Sequence, residues 1–168
     1  EGKDVTLNAY GFPAYIANSS GFYFLTDFMA GNLTGWNLGY YYSDLAAVTY
    51  MGEGTYTDSD DGTVETKNYY VLGADGTLYQ LQIWPSYKAD GVNSLSYTMA
   101  RGALGNIGME FDEITALTMT YVKNEKAEGL VIGYSNNNAE LYYVDLKAET
   151  LSCAKIGNVA GATAISGM

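Results

Sequence analysis

Histidine is absent from this chain of 168 residues, and cysteine occurs once. Without histidine, Ser-His-Asp and Cys-His catalysis, imidazole zinc sites and an imidazole proton switch near neutral pH are all excluded. Cys153 alone closes no internal disulfide and supports no thiolate metal cluster. Proline occurs twice, and 8 basic residues stand against 19 acidic ones, a formal net charge of -11. A nucleic-acid binder needs a basic stripe that displaces counterions from phosphates, and the chain has none. The same deficit disfavours an anionic membrane surface, and no apolar run reaches the roughly 18 residues of a membrane span. The chain opens at Glu1 with no positively charged, apolar-cored leader, so it reads as a mature secreted piece or an excised segment.

Apolar surface is plentiful. Hydrophobic residues make up 48% of the chain and charged ones 16%, enough apolar burial to offset the entropy of ordering and argue against disorder. Seventeen tyrosines and 20 glycines, with many Thr, Val and Leu segments between Gly, Asn and Asp, are the composition of an all-β protein.

Three stretches read alike. Phe22-Tyr23-Phe24-Leu25, Leu78-Tyr79-Gln80-Leu81 and Leu141-Tyr142-Tyr143-Val144 each follow a turn-forming cluster. Those clusters are Asn18-Ser19-Ser20-Gly21, Ala74-Asp75-Gly76-Thr77 and Asn136-Asn137-Asn138-Ala139. Asn, Asp and Gly tolerate the positive φ of tight hairpins, so each cluster predicts a reversal between antiparallel strands. Upstream, Asp44 to Tyr50 matches Glu113 to Met119, equating Thr49 with Thr118. Downstream, Ser94 to Met99 and Leu151 to Ile156 both lead to a Gly-Asn pair, Gly105-Asn106 and Gly157-Asn158. The chain therefore divides into units at about 1–43, 44–112 and 113–168, each of four short strands. An acidic insert, Glu53 to Lys67, and a loop from Trp84 to Val92 lengthen the second unit. Ile114, Leu117 and Tyr121 fall at helical spacing, but recurring β-branched Thr and Gly129 favour strand, a Lys123 to Lys126 turn, then strand.

Units with "turn, Leu-Tyr-x-aliphatic-Asp, then Ile-Gly-Asn" resemble β-propeller blades. Ala139 to Ala164 in particular resembles propeller repeats in large secreted proteins of Gram-positive gut bacteria. The resemblance covers most of the chain and is specific from about 113 to 165; the first unit departs, with Asp27 one place later than Asp145. It implies antiparallel four-stranded meanders packed as a partial propeller of about three blades, both faces of a blade apolar. A β-sandwich is the structural alternative. Propellers close with four to eight blades, so three imply a fragment, a partial propeller, or a protomer that completes the ring with a second copy, with self-association through the end strands. Ala162 to Met168 reads as the opening strand of another unit. The resemblance, with the scarcity of cysteine, implies a secreted or cell-surface bacterial protein.

Candidate chemistry is sparse. Asp58, Asp60, Asp61 and Glu65 alternate around Gly62 as oxygen ligands for calcium could, although the spacing is not an EF-hand and a solvated hairpin tip explains it as well. Trp36, Trp84 and Tyr87 sit among Gly, Asn, Pro and Ser; Trp84-Pro85-Ser86-Tyr87 suggests an exposed aromatic platform for a glycan or protein, and packing between blades is the competing explanation. Glu110 and Asp112 could share one strand face as an acid/base pair of a glycoside hydrolase, but nothing else marks a cleft. Gly52-Glu53-Gly54 reads as a turn, not a phosphate loop. The expectation is a non-enzymatic extracellular interaction module for a protein or glycan ligand. A carbohydrate-binding module using the loop aromatics is the alternative, and a hydrolase comes third. No cofactor other than calcium is implied.

Overall fold

The computed structural model describes residues 4–7, 13–18, 21–25, 35–37, 45–59, 62–86, 96–109, 117–123, 128–135, 137–165 and 168. Side chains are described at 47–59, 62–84, 100, 102–109, 117–123, 128–135, 137–165 and 168. Among these residues every regular element is a strand. The first four are β1 (Asp4–Leu7), β2 (Pro13–Asn18), β3 (Gly21–Leu25) and β4 (Gly35–Asn37). Next come β5 (Leu45–Asp58), β6 (Gly62–Gly73), β7 (Thr77–Ser86) and β8 (Ser96–Asn106). The last are β9 (Leu117–Lys123), β10 (Glu128–Ser135), β11 (Ala139–Asp145) and β12 (Cys153–Asn158). Each group of four is one antiparallel meander whose spatial order follows the chain.

Of the segment with helical spacing, Leu117–Lys123 is strand, while Ile114 and the expected turn at 124–126 lie outside the described residues. Leu117, Met119 and Tyr121 alternate with Thr118, Thr120 and Val122, a period of two in which the β-branched residues share one face. Leu117 and Met119 are buried and pair with Tyr134 and Ile132 of β10. The hairpin turns form where the asparagines and glycines stand. Asn18 pairs with Gly21, Gly76 takes φ 79° and Asn137 takes φ 59°. At the second turn the Thr77 N–H and hydroxyl both donate to the Asp75 carboxylate, at 2.9 Å each, which holds that carboxyl below its usual range.

Ladder register sorts the buried side chains into faces. On one face of the β5–β8 sheet, Ala47, Tyr70, Leu72 and Leu78 form a core with Leu117, Met119, Leu130, Ile132 and Val144 of the β9–β12 sheet. Its other face carries Val48, Tyr69, Val71, Leu81 and Ile83, also buried. The middle sheet is therefore covered on both sides. Between sheets, β5 lies close to β9 and β1 adjoins β5, so the first strands of the three meanders are neighbours.

Three sequence expectations need correction. Gly52 and Gly54 lie inside β5: Gly52, at φ 119°, follows a bulge at Met51, and a side chain at Gly54 would collide with the Asn68 amide. Trp84, Pro85 and Ser86 extend β7, paired to β8. Pairing of β7 with β6 ends at Lys67 and Ile83, so Pro85 lies where β7 has lost that neighbour and its missing N–H costs no ladder bond there. Ala162 to Ile165 form no strand; the Ala162 carbonyl accepts the Ala139 N–H, and Ile165 packs over Gly133 and Thr118.

Candidate functional site

The first candidate is where the long β5–β6 hairpin meets β7. Tyr56, Thr66, Asn68, Gln82 and Trp84 share one face by register. Trp84 is 2% exposed and stacks on Tyr56, ring centroids 4.8 Å apart and planes 25° apart. The Thr66 hydroxyl donates to Asn68 Oδ1 at 2.7 Å, and the Gln82 amide approaches the same oxygen and the Thr55 carbonyl at 3.5 Å. Trp84 Nε1 is buried without a partner. The ring expected on an exposed platform is thus interior, because the hairpin extension lays Tyr56 over it. Trp36 pairs with Phe24 in the backbone of β4 and β3, and its side chain lies outside the described positions, as does the whole of Tyr87.

Of the calcium candidates, Asp60 and Asp61 lie outside the described residues. Asp58 pairs with Gly62, whereas Glu65 pairs with Thr55, three positions along. Side chains alternate along a strand, so Asp58 and Glu65 project from opposite faces of the hairpin and do not converge on one ion. Among the described residues no three acidic or thiol side chains group to hold a metal. Glu110 and Asp112 also lie outside the described residues.

A charged cluster that the sequence did not single out joins β11 to β12. Glu140 accepts from Lys155 Nζ and, at 2.7 Å, from the Tyr142 hydroxyl. The ammonium and the hydroxyl hold the Glu140 carboxyl below its usual range, so its contribution to stability is present above that range and lost as pH falls through the lowered value. The Glu140 hydrogen bond, then burial, pushes Tyr142 up to about 12, and burial pushes Tyr70 to about 12 as well. A raised folded value favours the protonated phenol, so both contributions are present below about pH 10 and disappear as pH rises toward the folded values. Phenolate absorbance is expected to show these two groups titrating late, with one late step removed by Tyr142→Phe.

Cys153 faces the core between the second and third sheets, and burial pushes its thiol up to about 11. Its thiolate fraction at pH 8 is then reduced on the order of a hundredfold relative to an exposed thiol. A disulfide reagent should label the native protein slower by that order than the denatured chain; equal rates would contradict the burial.

Exposed apolar groups recur at one place in the meander. β8 bulges opposite Leu78 and Tyr79, leaving Leu104 unpaired, and β12 bulges opposite Leu141 and Tyr142, leaving Ile156 unpaired. Both extra residues face solvent, Leu104 at 43% and Ile156 at 59% exposure. Compared with models of known families, with curated proteins and with solved structures, the chain matches none.

Proposed function

We propose that the chain is a partial β-propeller of about three blades, acting as a non-enzymatic binding module of a secreted or surface-attached bacterial protein. Support for blades comes from the middle sheet. A sandwich encloses one core between two sheets and leaves their outer faces to water. Val48, Val71 and Leu81 on one face and Leu72 and Leu78 on the other are all fully buried, as a blade between two blades requires. The adjacency of β1, β5 and β9 agrees, since the first strands of successive blades ring a propeller's axis.

The binding reading rests on one observation, the aliphatic side chain held in solvent at the same bulge of two successive sheets. Bulges aim a side chain out of the ladder, and an apolar group so presented gains free energy only when something covers it. A protein surface fits this rim better than a sugar, because sugars stack on exposed rings and Trp84 is enclosed. Among the described acids, Asp75 is engaged with Thr77 in a turn and Glu140 with Lys155 across strands, an arrangement suited to structure rather than proton transfer.

The test presents the immobilised protein to purified extracellular and cell-envelope proteins and to a glycan array. Saturable binding to a protein, lost in a Leu104→Ser/Ile156→Ser double variant that melts normally, is the expected result. Binding confined to glycans would favour the carbohydrate-binding alternative. Turnover of oligosaccharides, peptides or esters would refute both.

A further inference from the structure

The second and third sheets present comparable faces, and only one of them is covered. Leu78 pairs with Leu72 and Leu141 with Gly133, while Gln80 pairs with Tyr70 and Tyr143 with Val131. Leu141 and Val131 thus stand in the third sheet where Leu78 and Tyr70 stand in the second. Leu78 and Tyr70 are buried beneath the third sheet, the Tyr70 ring 5.4 Å from that of Tyr121. Val131, Leu141 and Tyr143 are only half-buried.

The residue after each last strand sharpens the comparison. The Ile107 N–H donates to the Gly76 carbonyl at 2.9 Å, and the Val159 N–H donates to the Ala139 carbonyl at 2.8 Å. Gly76 and Ala139 each stand two places before the paired leucine, so these are the same bond in two meanders. Ile107 is 1% exposed, and its carbonyl accepts the N–H of Cys153 in the next sheet at 2.8 Å. Val159 is 37% exposed, and its carbonyl accepts from Ala162, three residues further on. Ile165 covers the corner at Gly133 and Thr118, its N–H held by the Ser135 hydroxyl at 2.8 Å, and leaves the rest of the face open.

Resting on the blade reading above, we infer that this open face, formed by Thr120, Val131, Leu141, Tyr143 and Val159, seats the β1–β4 meander of a second copy of this chain. The occupant follows from the covered counterpart: what lies on Leu78, Tyr70 and Ile107 is a four-stranded meander of the same kind. Two chains of three meanders give six, inside the range of four to eight at which propellers close. A two-fold axis sets the third meander of each chain against the first of the other and stops growth at the dimer. None of the five side chains is charged, and the net charge of -11 on each copy opposes association, so added salt strengthens it.

Sedimentation from about 1 to about 200 µM tests this, a range that brackets dissociation constants of weak to moderate dimers. The wild type is expected to pass from monomer to dimer and no further, more readily at high salt. Val159→Asp and Val131→Asp should stay monomeric, and Val159→Asp, at an exposed position, should melt normally. Ile107→Asp should lose cooperative melting because its site is already covered. A wild type monomeric throughout, a dimer indifferent to both valine variants, or growth beyond the dimer overturns the inference. If Ile107→Asp melts like the wild type, the blade reading itself falls; if it unfolds while the wild type stays monomeric, the blades stand and the second copy does not.

Discussion

Trp84→Ala should destabilise the protein by about 4 kcal/mol, the usual cost of removing a buried aromatic ring. In a chain of this length that lowers the melting midpoint by roughly 8–16 °C. The expectation follows from the near-complete burial of the ring and its stack on Tyr56, which ties β7 to the tip of the β5–β6 hairpin. Trp84→Phe should cost much less. It keeps an aromatic body, and the indole N–H it discards is desolvated without a hydrogen bond in return. Calorimetry on both variants checks the pair. A normal melt for Trp84→Ala would mean the ring is not enclosed, and would restore it as a surface platform.

Gly76→Ala should cost about 3 kcal/mol, or roughly 6–12 °C. Two causes add. At φ 79° a Cβ meets its own backbone, for about 1–2 kcal/mol, and the new methyl would also fall against the Met109 carbonyl oxygen, overpacking worth about 1–3 kcal/mol. Gly62→Ala separates them, because Gly62 has φ 73° with open space around its Cβ position and should suffer the conformational term alone. Equal losses in thermal denaturation would show that the Met109 contact carries no weight. That contact belongs to a set joining turn to loop, in which Asn106 Nδ2 donates to the Asp75 carbonyl and Asn106 Oδ1 accepts from Gly108, both at 2.7 Å.

The hairpins and the alternation of faces were legible because they depend on local rules. Asp75-Gly76 and Asn137 reverse the chain as their types prefer, and Leu117 to Val122 alternate visibly once Thr outweighs helical spacing. What failed depended on distant partners. Trp84-Pro85-Ser86 reads as loop because Pro and Ser favour turns, and no local signal says that β6 has already ended its pairing there. Gly54 reads as a turn residue, whereas it makes room for the Asn68 side chain across the ladder. The match of Thr49 to Thr118 is displaced by two: Thr118 pairs with Gly133, the counterpart of Leu72, which itself pairs with Ala47. Because the displacement is even, Thr49 lies on the same face as Ala47, the true counterpart of Thr118, and the shift escaped notice in the pattern. The rim pair was hidden for the same reason, since Leu104 and Ile156 are exposed through bulges that shift register without any mark in composition.

Those bulges also bear on solubility at high concentration. A long, regular outermost strand offers its free N–H and C=O groups to any passing extended polypeptide, the first step toward cross-β fibrils. In β12 the extra residue at Ile156 interrupts that template partway along, and the neighbouring Lys155 places a charge beside the break. The same irregularity that holds an aliphatic group in water therefore denies the strand a straight edge on which fibrils could nucleate.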